Sequence, residues 1–180
     1  MSSQPHSAPI PSKLHSTVLT IARYSAGAWV GGAVLFVITS VAEQTHPKFD
    51  STIRDQLAAI RFPFYYLFCW TCLGTQTAAS ILLVLLSRKQ LNTRLLCSAT
   101  LASLALVIAA ADHQLIYKPL LKLITPPGKS RSQEFSNLHS ASQNINQLHV
   151  ALAAVAGLLI CLPEHTHKNT SAADESTTPR

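Results

Sequence analysis

Four stretches of this chain carry no charged side chain, and each is about as long as a lipid bilayer is thick. Residues 24–42 run uncharged for 19 positions, 62–87 for 26, 95–111 for 17 and 145–162 for 18. Extending the third stretch to Tyr117 admits one charge, Asp112. About 20 apolar residues in a helix cross a hydrocarbon core of roughly 30 Å, and buried helices of water-soluble domains are usually shorter. Charged residues make up only 12% of the 180 positions, about half the roughly 25% of a typical soluble domain. Hydrophobic content, 48%, is ordinary, so the anomaly lies in where the charges are missing. The pattern excludes a soluble enzyme domain and a disordered polymer. It predicts an all-α protein, a four-helix transmembrane bundle with short interfacial helices and disordered termini, immersed in a lipid bilayer. The longest polar piece, residues 118–144, is 27 residues. That leaves little chain for an extramembrane catalytic domain, and no enzymatic activity is expected.

The predicted organisation is a flexible polar leader (1–16), a membrane domain (17–163) with spans at about 24–42, 62–87, 95–117 and 145–162, and a disordered tail (164–180). The leader is rich in Ser and Pro and has no acid. The first apolar run exceeds the roughly 7 to 15 residues of a cleaved signal core, so it reads as a retained anchor. The formal charge of +6 is carried at the borders of the apolar runs, by Arg23, Arg61, Arg88, Lys89, Arg94, Lys118 and Lys122. Lipid headgroups select that placement, and it implies no nucleic-acid partner. Lys and Arg divide equally between the two sides. The dense cationic loop from Arg88 to Arg94 then decides for cytoplasmic termini, with the cell (inner) membrane as the location. Cys69, Cys72, Cys97 and Cys161 fall in or beside apolar spans and form no disulfide framework. Cys69 and Cys72 read better as small buried hydrophobes than as a redox or metal pair.

Local signals place the connections. Phe49, Ile53, Leu57 and Ile60 at helical spacing predict a short interfacial amphipathic helix before the second span. Pro63 suits the first turn of that span. Pro119 is expected to kink or end the third helix, Thr125 to Gly128 to stop the chain, and Gln133 onward to run as a helix into the fourth span.

Helices in lipid meet where small side chains allow close approach and polar groups pair. Gly27 and Gly31, with Ala28 and Gly32, form such a face on the first span, available for homo-oligomerisation or a membrane partner. In the third, Ser98, Ala102, Ala105, Ala109, Asp112 and Ile116 fall within an arc of about 80° at 100° per residue. His139, Ser142, Asn146, His149, Ala153 and Gly157 share a comparable arc in the fourth, and Tyr65, Cys69, Cys72, Gln76 and Ala79 form a stripe in the second. Connectivity gathers His46, Arg61, Tyr65, Tyr66, Asp112, His113, His139, Ser142, Asn146 and His149 at one leaflet.

A carboxylate within a lipid span costs on the order of 2.5 to 3.5 kcal/mol, so Asp112 is expected to face protein or water with a His or Arg partner. The cluster Asp112, His113, His139, Ser142, Asn146 and His149 then reads as a site for a small polar solute or cation. The bland alternative is the packing centre of the bundle. A second reading is a haem- or copper-binding membrane subunit using His113, His139 or His149, with the metal ligands left undetermined; a third is a structural partner in a membrane complex. No motif demands a cofactor: there is no phosphate loop, nucleophile elbow or HExxH.

The order of these residues resembles the transmembrane protein 205-like family of four-span membrane proteins. Trp29-Val30 with Gly31 and Gly32 leads through Leu35-Phe36 to Pro47 and Phe49. Phe62-Pro63-Phe64-Tyr65-Tyr66 is similar to that family's FPFYF-type opening of the second helix. His139, Ser142 and Asn146 fit its HxxSxxxN pattern, and Pro119 has a counterpart. The resemblance spans about residues 24–162. It implies multi-pass membrane location, a link to tolerance of metal-containing drugs, and no established catalysis.

Overall fold

A computed structural model describes residues 12–87 and 92–162. The described residues form five α-helices: α1 (Ser12–Thr45), α2 (Ser51–Leu86), α3 (Thr93–Asp112), α4 (Lys118–Leu123) and α5 (Gln133–Cys161). A π-helical turn, His113–Tyr117, joins α3 to α4. Around the bundle α1 packs on α2, α2 on α3, α3 on α5 and α5 on α1. Four helical stretches are long and apolar enough to cross a membrane: Lys13–Thr45, Ser51–Leu86, Thr93–Leu123 and Gln133–Cys161. We call the end where α1 meets α2 the first rim. The α2–α3 connection marks the second.

Three helices start on side-chain caps that occupy otherwise orphaned N–H groups. Asp50 accepts from the Ile53 amide at 2.9 Å, Asn92 from Arg94 at 3.1 Å and Ser132 from Phe135 at 3.1 Å. Large apolar side chains point outward: Tyr24, Leu35, Phe64, Leu67, Val107, Leu115 and Leu158 are all at least 60% exposed. Inside are Ala22, Ala26, Ala102, Ala105, Ala109, Ala153 and Ala156, with Ser98, Gln76, Asp112 and His149 among them. A water-soluble bundle has the reverse order, because only water drives large hydrophobes inward.

Several local expectations are corrected. No separate interfacial helix precedes the second span. The stretch containing Ile53, Leu57 and Ile60 is the beginning of α2, which runs 36 residues, about 54 Å at helical rise. Pro63 therefore lies inside α2 rather than in its first turn. Its missing N–H frees the Ala59 carbonyl one turn back, at a half-buried position near the first rim, and the helix continues through it. Pro119 neither ends nor visibly stops the third helix. The π turn before it, where the Lys118 amide reaches the His113 carbonyl, resets the hydrogen-bond register ahead of the proline ring. The flexible leader was expected to reach residue 16, but α1 starts at Ser12, and Val18 packs with Ala22, Leu83, Leu95 and Ile160. Residues 1–11, Arg88, Lys89 and the tail from residue 163 lie outside the described residues.

Candidate functional site

The site grows from one aromatic opening on α2. Phe62, Tyr65 and Tyr66 turn inward while Pro63 and Phe64 face out, as helical rotation dictates for five consecutive residues. Tyr66 is 3% exposed, and its hydroxyl donates to Asp112 Oδ2 at 2.6 Å. Asp112 is 2% exposed, and its Oδ1 accepts no hydrogen bond. The Ser142 hydroxyl is placed to donate a hydrogen bond to the same carboxyl. The expected His or Arg partner is thus a tyrosine. A phenol offers a strong donor without bringing a second charge out of water, which in a low-dielectric interior avoids a desolvation penalty of several kcal/mol per ion.

Tyr65 reaches across the bundle diagonal, and its hydroxyl donates to Asn146 Oδ1 in a short hydrogen bond. The Tyr65 and Tyr66 rings are in edge contact at 5.6 Å, so the two hydrogen-bonded pairs form one cluster. His113 is edge-on to Tyr66 at 4.8 Å and to Trp70 at 4.7 Å, and stacks on Tyr117 at 5.4 Å. Tyr117, buried, keeps a hydroxyl without a partner. His149 is fully buried and stacks on Trp29 at 5.7 Å with 18° between the planes. Both of its ring nitrogens, and Trp29 Nε1, lack hydrogen-bond partners.

Two expected members fall elsewhere. His139 is exposed, stacked on Phe135 at 5.6 Å and 3.2 Å from Gln143, both on its own helix. No position of residues 133–144 is buried, so sharing an arc with Asn146 does not bring His139 into the bundle. His46 is likewise exposed and leans on Phe49 at 4.4 Å. Among the described residues no group of three or more His, Cys, Asp and Glu is arranged to share a metal ion. His113, His139 and His149 each pack against a different aromatic set. The four cysteines are unpaired thiols, Cys69 buried and Cys72 half-buried.

No protein-family model, curated protein or solved structure matches this chain.

Below the cluster, α5 receives a polar contact on nearly every turn. Tyr65 meets Asn146, Gln76 Nε2 donates to the Ala153 carbonyl at 3.3 Å, Ser98 to Ala156 at 2.8 Å, and Arg23 to Ile160 at 2.8 and 3.0 Å. Arg94 adds a short bond to the Leu162 carbonyl. Arg23 and Arg94 thereby satisfy the carbonyl end of α5, where the helix dipole favours cations. Polar contacts therefore occupy the second rim as well as the leaflet at which the sequence pattern gathers its candidates.

The first rim holds contacts that the sequence did not reveal. Asp55, 1% exposed, is bound by Arg131 through a short ion pair and by the Gly128 amide at 2.9 Å. Gly128 has φ +85°, and a Cβ there would stand 2.6 Å from Thr52 Oγ1, so only glycine fits against α2. Arg61 pairs with Glu43 at 2.7 Å, reaches Ser40 at 3.3 Å and lies over the Phe36 ring at 5.2 Å. Sequence separations of 73 and 76 residues hide the Asp55 contacts from any local pattern. Trp29 was legible in principle, because Ala22, Ala26, Trp29 and Ala33 recur at spacings of four, three and four.

The Gly27/Gly31 face is not where α1 meets its own bundle. A Cβ at either position would touch nothing within 4 Å. Close approach occurs instead at Gly32, where a Cβ would stand 2.3 Å from the Phe68 ring, and at Gly157, where one would stand 2.8 Å from Ala26 Cβ.

Proposed function

We propose that this chain is a non-enzymatic, multi-pass integral membrane protein that binds, and passes, a small cation or proton at Asp112. One observation carries the reading: a carboxyl buried among four membrane-length helices keeps Oδ1 without a hydrogen-bond partner. Among the described residues no Lys or Arg pairs with it. Intramembrane acids are rare and costly, and mark ion or proton pathways by default. A monovalent cation or a proton on Oδ1 balances the charge. Oxygens of Ser142 and Tyr66 lie beside it, and the faces of aromatic rings favour cations. The resemblance to transmembrane protein 205-like proteins supports the multi-pass architecture in this proposal, and the cationic second-rim loop supports cytoplasmic termini in the cell membrane. Among the described residues His113, His139 and His149 pack against different aromatic sets, which does not support the haem or copper reading.

The test is thermal unfolding in lipid nanodiscs with Na⁺, K⁺ or choline at equal ionic strength, repeated across pH. Ligand present at 100 times its dissociation constant stabilises by about 2.7 kcal/mol. The wild-type chain should respond to an alkali cation or to acid, and Asp112→Asn should respond to neither. Identical salt and pH responses in the two proteins would end the proposal.

A further inference from the structure

A groove of about 320 Å³ runs between α1 and α5 on the outside of the bundle, at the low end of ligand-pocket volumes. Its floor and walls are Ala33, Val34, Val37 and Ile38 from α1 and Val150, Ala151 and Ala154 from α5, all apolar. At one end stand two amides, Asn146 and Gln147. Asn146 belongs to the groove and to the polar cluster at once. Its Oδ1 accepts from Tyr65, and no hydrogen bond from its Nδ2 is seen among the described residues. A half-buried amide that lines the groove therefore keeps N–H donors for a ligand there.

Depth identifies what meets that N–H. The sequence of α5 turns from polar to apolar after Gln147: residues 148–162 are apolar but for His149 and lie within the hydrocarbon core. Asn146 and Gln147 then sit at the edge of the hydrocarbon, the level of lipid ester carbonyls, and Val150 to Ala154 extend from them towards the bilayer centre. The groove walls Val34, Val37, Ile38 and Ala151 are exposed, so hydrocarbon reaches them without any helix moving. We propose that this groove binds one acyl chain of a diacyl membrane lipid, with the chain along Val37, Val150 and Ala154 and its ester carbonyl accepting from Asn146 Nδ2. The lipid contact and the Tyr65 bond then orient the same amide from opposite faces. The inference does not depend on cation binding at Asp112.

The experiment reconstitutes the full chain in nanodiscs containing phosphatidylcholine with a diazirine in mid-chain, followed by photolysis and peptide mapping. Labels should concentrate on residues 33–38 and 146–154 over the outward faces at Leu67 and Val107. Ala151→Leu with Ala154→Leu fills the groove and should cut groove labelling about tenfold, a loss of about 1.4 kcal/mol. Ala110→Leu, on an exposed α3 position, should change nothing. Asn146→Leu keeps the apolar wall but removes the donor, and should lower groove labelling without abolishing it. Even labelling of all outward faces in the wild type overturns the proposal, and that readout needs no variant to fold. So does labelling by a diazirine fatty acid but not by the diacyl lipid, or cross-linking of the groove to a second copy of the chain.

Discussion

The two halves of the bundle are held together in different ways. Toward the second rim, Ala22, Ala26, Ala79, Ala99, Ala102 and Ala156 bring the helices close, and polar bonds run from side chains to main-chain carbonyls, as Ser98 to Ala156 and Arg23 to Ile160. Toward the first rim, aromatic rings fill the space and, beside the Gly128 amide bond to Asp55, specific side chains pair: Tyr66 with Asp112, Tyr65 with Asn146, Arg61 with Glu43. A carbonyl is present at every residue, so the first kind of bond fixes a helix without specifying its partner's identity. The second kind commits two particular side chains. Chemistry that depends on residue identity is therefore concentrated in the aromatic half, and the small-residue half acts as its frame.

The largest expected effect breaks the frame. Gly157→Leu puts a side chain where even a Cβ stands 2.8 Å from Ala26, so the helix axes must separate. Overpacking of this kind costs typically about 1 to 3 kcal/mol, and we expect the upper end. Gly27→Leu, with nothing within 4 Å, should leave unfolding in mild detergent unchanged. Equal losses for the two would mean that α1 packs through the wrong face here.

An intermediate effect tests the aromatic half. Asp112→Leu strands the buried Tyr66 hydroxyl, a penalty of about 1 to 3 kcal/mol. Asp112→Asn retains an acceptor for that hydroxyl and should lose clearly less. If both variants unfold alike, the carboxyl's hydrogen bond contributes nothing to stability, and the contrast between side-chain and main-chain pairing weakens.

The smallest effect sharpens the comparison. Ser98→Ala removes one side-chain-to-carbonyl bond but leaves the Ala156 carbonyl with its own helical partner. The mean value of such bonds between membrane helices is about 0.6 kcal/mol. A loss as large as that of Asp112→Leu would place specific polar pairing in both halves.

Rotational placement was readable because helix geometry is local. Ser98, Ala102, Ala105, Ala109, Asp112 and Ile116 were predicted on one arc, and every one of them is buried. In α5 the same rule held for His149, Ala153 and Gly157 but failed for His139, since rotation says nothing about where along its axis a helix leaves the bundle. Pro63 misled for a related reason. A proline marks a local cost, and whether a helix absorbs that cost depends on the surroundings of the freed carbonyl.

The sequence by itself determined that the chain forms four helices long and apolar enough to span a membrane, and which face of α3 turns inward, because charge exclusion and the 100° step act residue by residue. Only the tertiary structure decided that Asp112 meets Tyr66, that Asn146 meets Tyr65 across the diagonal, and that Asp55 anchors Gly128 and Arg131. Those choices depend on relative depth and neighbour order among helices, quantities that emerge when all four pack at once and that no single stretch of chain encodes.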